Sequence, residues 1–255
     1  MRRVIITGAS SGIGAALARQ YAAGNAIVGL MARRETALQE LAASIQTQAQ
    51  IFPVDVRDAA AMRSAATAFM ALHGCPDIVI ANAGVSTGTL TELPEDLAAF
   101  QDVLDINVIG MANTFQPFIA AMREAGRGTL VGIASVAGYR GLPGAAAYSA
   151  SKAAAISYLE SLRVELRASG IKVITICPGY IATPMTARNP YPMPFMLSAG
   201  RAAQLMAGII DRGQAFGVIP WQMAIVARVL RVLPNWLYDR LFSNAPRKPR
   251  GITAL

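Results

Sequence analysis

The chain has 255 residues, of which 54% are hydrophobic and 15% charged, with a net charge of +8. That length suits one large domain with a sizeable core, and no Ser/Gly-rich linker or composition break divides it. The charge is uneven: residues 201–255 hold eight Arg/Lys against Asp211 and Asp239, a net of +6, and the rest of the chain carries only +2. A nucleic-acid role has little support, because no basic–aromatic surface pattern recurs.

Strand patterns alternate with Ala-rich helical ones along the chain. "RRVIIT", "AIVGLMA", "QIFPV", "DIVIA", "GTLVGIAS", "IKVITIC" and "AFGVI" read as strands, with helices expected near 13–23, 35–46, 58–72, 95–123, 149–169 and 198–211. Continuous apolar strands separated by such helices predict a parallel sheet covered on both faces, a doubly wound α/β fold. Ligands of such sheets bind beyond the carboxyl ends of the strands, so the residues just after each strand are the informative ones.

After the first strand comes "TGASSGIG", with Gly8, Ser10, Ser11, Gly12, Ile13 and Gly14. A tight turn and a close backbone approach both need residues without Cβ, and the helix that follows aims its first amides at an anion. Strand, glycine cluster and helix in this order predict dinucleotide binding. After the second strand stand Arg33 and Arg34, where a carboxylate would mark NAD. Guanidinium groups suit a 2′-phosphate, so NADP is expected rather than NAD; the alternative is that both are solvated residues at a helix start. After the third strand come Asp55 and Val56, and after the fourth Asn82, Ala83 and Gly84, candidates to meet the adenosine.

The fifth strand ends at Ser135, and the stretch "AAAYSASKAAA" follows, with Tyr148 and Lys152 one helical turn apart on one face. Asn107 lies in "DINVIGMAN" on the preceding long helix, and "CPGYIATPM" follows the sixth strand. Together with "TGASSGIG" and "ANAG", these motifs resemble the short-chain dehydrogenase/reductase family from residue 2 to about residue 215. The resemblance implies a single-domain Rossmann fold, a nicotinamide-dependent oxidoreductase acting on an alcohol/carbonyl pair, and a homodimer or homotetramer. It also implies that Asn107, Ser135, Tyr148 and Lys152 are catalytic, with Asn107 supporting a water chain to the lysine. Pro178, Gly179, Ile181 and Thr183 would border the nicotinamide. The chemistry is consistent: a tyrosine pKa near about 10 suits neutral pH poorly, and a neighbouring ammonium is expected to lower it. Ser135 can donate to the substrate oxygen as charge builds there.

Two segments have no such match. Pro184, Pro190, Pro192 and Pro194 forbid a regular helix where a substrate lid is expected (184–211). Tyr191, Met193 and Phe195, with Ser135, Leu142, Tyr148 and Tyr180, are the candidate pocket for a lipophilic carbonyl or alcohol; the alternative for the lid residues is packing onto the core or a partner subunit. Residues 216–255 read as a last strand and a basic amphipathic extension. At about 100° per residue, Met223, Ile225, Val226, Val229, Leu230, Val232 and Leu233 share one half of a helix, with Ala224, Ala227, Arg228 and Arg231 on the other. A membrane interface (through 221–242), a partner subunit or the protein's own core would each satisfy that pattern.

His73, the only histidine, and the apolar Cys75 and Cys177 are expected to be structural, and no metal is expected. The apolar run "VII" is too short for a signal sequence. The expectation is a cytoplasmic protein, with peripheral contact at the membrane surface as the added option. Two other classes stay open: an NADP-binding redox sensor or scaffold with little turnover, and a membrane-surface protein acting through its tail.

Overall fold

The computed structural model describes residues 1–45 and 47–250; Gln46, in the expected helix 35–46, and residues 251–255 of the C-terminal extension lie outside the described residues. In chain order the elements are β1 (Arg3–Thr7), α1 (Gly12–Ala23), β2 (Ile27–Ala32), α2 (Glu35–Ala43), β3 (Ala49–Pro53), α3 (Ala59–His73), β4 (Ile78–Ala81), α4 (Asp96–Leu104), α5 (Gly110–Glu124), β5 (Gly128–Ile133), α6 (Ala146–Glu165) and β6 (Ile171–Pro178). Then follow β7 (Ile181–Ala182), β8 (Leu197–Ser198), α7 (Ala199–Asp211), β9 (Phe216–Ile219), α8 (Trp221–Val232) and α9 (Asn235–Phe242).

Seven strands form one all-parallel sheet in the order β3-β2-β1-β4-β5-β6-β9. The period of two along β1 divides its side chains between two cores. Val4 and Ile6 pack with Leu17, Leu30 and Met206 under α1, α2 and α7, whereas Ile5 packs with Phe69, Phe115, Phe118 and Leu159 under α3, α5 and α6. The chain reverses direction across the sheet between β1 and β4, so the crevice of a doubly wound sheet opens beside their carboxyl ends. The expected fold class is the one observed.

The single helix expected over 95–123 is two helices joined by a π-turn at Asp105–Ile109, where the Gly110 amide bonds back to the Asp105 carbonyl. Asn107 sits in that widened turn, fully buried. The helix expected over 149–169 begins earlier, at Ala146, and so takes Tyr148 into its first turn. Within the segment after Pro184, Leu197–Ser198 pairs with Ile181–Ala182, and the helix expected over 198–211 is α7, which packs on α1 with Ala202, Ala203 and Met206 buried.

Helix α8 departs from the expected division into one apolar and one basic face. Met223 and Ala227 are buried against Val136, with Val226 partly buried beside them, so Ala227 belongs to the packed side and not to the basic one. A small residue there lets the helix backbone approach the body. Trp221, Ile225, Val229 and Val232 are left exposed. Arg140 fixes the far end by donating to the carbonyls of Leu230 (3.1 Å) and Leu233 (2.6 Å) and to Asn235 Oδ1 (2.8 Å). Its guanidinium also lies 4.2 Å from the Tyr238 ring centroid, and the Tyr238 hydroxyl donates to the Gly141 carbonyl. Among the described residues no helix is long and apolar enough to cross a membrane.

Candidate active site

The glycine turn after β1 is held by the loop after β4. Thr7 Oγ1 accepts from the amides of Asn82 (3.1 Å) and Ala83 (3.3 Å), while Asn82 Nδ2 donates to the carbonyls of Thr7 (3.0 Å) and Gly8 (3.3 Å). Gly8 has φ +66°, and a Cβ there would lie 2.7 Å from Ala83 Cα; at Gly14 it would lie 2.2 Å from the Gly8 carbonyl oxygen. Only glycine permits both approaches. Gly12, φ +55°, faces Thr183 from the loop after β6 at 3.1 Å in the same sense.

Around this turn opens a cleft of about 1230 Å³, its open mouth included, lined by Gly8, Ser10, Ser11, Gly12 and Ile13 of the first turn and by Arg33, Arg34, Asp55, Val56, Asn82, Ala83 and Gly84. Its other end is walled by Ser135, Tyr148, Lys152, Pro178, Gly179, Ile181 and Thr183. All these expected residues therefore share one cavity; Gly14 lies behind the turn, where its role is packing. The lining also holds Ile106 and Met185, which lie inside the quoted motifs without having been singled out, and Thr186 just beyond them. Leu142, Tyr180, Tyr191, Met193 and Phe195 lie outside the lining. Phe195 is half exposed at φ +58°, and Met193 Sδ accepts from Asn189 Nδ2 at 3.4 Å.

The glycine cradle, in a lining that also includes Arg33, Asp55, Tyr148 and Lys152, fits an elongated dinucleotide. Its adenosine end would meet Asp55 and the arginines, and its other end Tyr148 and Lys152. Arg34 donates to Ser10 Oγ (3.1 Å) at the rim, and Asp55 is already engaged by Arg57 (2.7 Å). Burial tends to raise the Asp55 pKa, but the bonds from Arg57 outweigh it and hold the carboxyl below its usual value.

At the far end, Lys152 is buried and donates to the Ile133 carbonyl at 2.8 Å, with its ammonium 5.8 Å from the Tyr148 ring centroid. Burial pulls the lysine down to about 8. Burial also pushes the Tyr148 phenol up, partly countered by a hydrogen bond from Ser135. This differs from the lowering expected from sequence: desolvation of the phenol outweighs the Ser135 hydrogen bond. Asn107 makes three bonds: its Oδ1 accepts from the Val85 amide (2.8 Å), and its Nδ2 donates to the Val85 carbonyl (3.0 Å) and Ser151 Oγ (2.9 Å). It braces the loop after β4 against α6.

A family model described as short chain dehydrogenase matches residues 2–192. An uncharacterized oxidoreductase of Myxococcus xanthus is 41% identical over 247 residues, 93% of this chain and 95% of the relative. The 2-dehydro-3-deoxy-L-rhamnonate dehydrogenase (NAD(+)) of a Sphingomonas species is 36% identical over 191 residues, 74% of this chain and 76% of the relative. Among solved structures, levodione reductase superposes with a TM-score of 0.79 at 26% identity, covering 88% of this chain and 98% of its own. A short-chain type dehydrogenase/reductase from Mycobacterium marinum gives 0.77 at 29% identity, covering 85% and 92%. Sequence, fold and cleft thus agree, and the chain belongs to the short-chain dehydrogenases, NAD(P)-dependent oxidoreductases acting on CH–OH groups.

Proposed function

We propose that the protein is an NADP(H)-dependent oxidoreductase that interconverts a carbonyl and a secondary alcohol on a lipophilic substrate, with Tyr148 as the general acid/base. The observation that carries this reading is the meeting of Ser135, Tyr148 and Lys152 in the cleft that the glycine turn begins. When bound, the nicotinamide supplies or accepts the hydride at the substrate carbon. In the reducing direction Tyr148 gives its phenolic proton to the substrate oxygen, and in the oxidising direction it takes that proton back. Ser135 steadies the oxygen by hydrogen bonding, and Lys152 supplies positive charge and a donor to the cofactor ribose.

Arg33 and Arg34 at the adenosine end support NADP over NAD; the Sphingomonas relative is named as an NAD(+) enzyme, so the family alone does not decide the cofactor. Met185 in the lining, with Tyr180 and Tyr191 outside it, would receive an apolar substrate. Consumption of NADPH over carbonyls graded from polar to lipophilic, with Tyr148→Phe alongside, tests the reading. Turnover that survives the variant would remove Tyr148 from its role.

Contact with a membrane surface is a second reading, favoured by exposed Trp221, Ile225, Val229, Val232 and Trp236 beside Arg228 and Arg231. Self-association would use other exposed apolar residues, Leu97, Ile109 and Val164 on the α4–α6 side, and sedimentation would read it as a dimer or tetramer.

A further inference from the structure

The basic end of the chain does not trail into solvent. Beyond α9 it folds back over the loop that follows β4, where the Gly88 amide donates to the Pro249 carbonyl (2.8 Å) and Gly88 bridges with Arg250. Arg250 forks onto Asp96, with Nε to Oδ2 at 2.8 Å and Nη2 to Oδ1 at 3.0 Å, and also reaches Glu95 (2.9 Å). Asp96 is buried and accepts the Leu90 amide as well, so the clasp is anchored in the body. At Gly88 a Cβ would lie 2.2 Å from the Lys248 carbonyl oxygen, which shows how closely the two segments approach.

This clasp delivers Lys248 to the catalytic tyrosine. Its ammonium donates to Ser86 Oγ at 2.7 Å and lies 5.5 Å from the Tyr148 ring centroid. Lys152 stands 5.8 Å from the same ring, so the phenol ring has one ammonium from α6 and another from the tail. Lys248 is half-buried, and among the described residues it forms no ion pair with a carboxylate. An ammonium has three donors, and one hydroxyl uses one of them. Desolvation lowers this lysine to about 8, which leaves it mostly charged at neutral pH. A partly desolvated cation without a counter-ion is costly unless a ligand supplies the anion.

We propose that Lys248, together with Ser86, binds a carboxylate carried by the substrate whose carbonyl meets Tyr148. A single ammonium beside a hydroxyl matches one negative charge on two oxygens; a phosphate dianion would call for more donors or a guanidinium fork. The substrate class becomes an oxo- or hydroxy-carboxylic acid with an apolar body. The inference rests on the reading of Tyr148 as acid/base given above.

The test compares a medium-chain oxo-carboxylate with its methyl ester, using NADPH consumption by the full-length protein, Lys248→Met and Lys248→Arg. Expected is a preference of roughly ten- to a hundredfold in kcat/KM for the free acid, expressed mainly in KM. Lys248→Met should erase that preference, and Lys248→Arg should restore part of it. Equal use of acid and ester by the unaltered protein, or an equal loss on both in Lys248→Met, overturns the inference. Turnover that persists in Tyr148→Phe instead overturns the acid/base reading, so the two failures are distinct. If neither compound is turned over, calorimetric titration of the NADP-loaded protein with decanoate and decanol decides. Tighter binding of decanoate that vanishes in Lys248→Met supports the inference, and equal binding ends it.

Discussion

At the residue scale, the consequences of the cleft are specific. Tyr148→Phe removes only a hydroxyl; kcat/KM should fall by about 10²–10⁴-fold while NADPH affinity, followed by fluorescence titration, stays within a few-fold. Gly14→Ala places a methyl group 2.2 Å from a backbone oxygen that cannot swing away. It should lower stability by about 1–3 kcal/mol in chemical denaturation and weaken NADPH binding together with it. Arg33→Ala should raise the Kd for NADPH roughly tenfold and leave that for NADH nearly unchanged, since only the 2′-phosphate distinguishes them. Equal effects on both cofactors would dispose of the NADP assignment.

At the element scale, the π-turn at Asp105–Ile109 and helix α8 illustrate opposite uses of a helix. The π-turn turns Asn107 inward as a brace with three buried bonds. Asn107→Ala would leave the Val85 amide and carbonyl without their partner and should cost about 1–3 kcal/mol, measured by thermal and urea unfolding. Helix α8 rests on a narrow contact at Met223 and Ala227 and is tied at its end by Arg140. Arg140→Ala should speed amide exchange across α8 and α9 selectively, with the central strands unaffected. For the exposed stripe, Ile225→Asp with Val229→Asp should abolish flotation with anionic vesicles while NADPH-dependent turnover persists. Flotation unchanged by that pair would remove α8 as the contact.

Across the whole molecule, buried titratable groups set the pH response. Lys152 falls from 10.5 to about 8 on folding, and Lys248 shifts the same way. Between these values the unfolded chain binds more protons than the folded one, so stability rises as pH passes upward through 8. Acids act in the reverse sense. Cys177 rises from 9.0 to about 12, and burial raises Tyr139 and Tyr191 from 10.0 to about 12, so the folded state keeps protons that the unfolded state loses. Their effect is to lower stability progressively above pH 9. The melting temperature should therefore climb from pH 8 to about 9 and then decline. Lys152→Met should flatten the climb and leave the decline in place.

What the sequence determined by itself was whatever depends on local pattern. Continuous apolar strands, the glycines after β1 and the spacing of Tyr148 and Lys152 are short-range constraints, legible before any folding is known. The end of the cleft proposed for the cofactor belongs with them, because it is lined by residues immediately following strands. Tertiary structure decided what depends on distant partners. The helix over 95–123 yields to a π-turn because Asn107 finds Val85 and Ser151, a preference invisible in its own window. Ala227 looks solvent-facing beside two arginines, yet it is the small residue that lets α8 settle on Val136. The tail reads as a solvated run of charge, and only the Arg250–Asp96 clasp, joining residues 154 positions apart, turns Lys248 toward Tyr148. Periodicity records which face a segment buries, and side-chain chemistry records what it can bond. Neither records which distant group the closed chain brings to it.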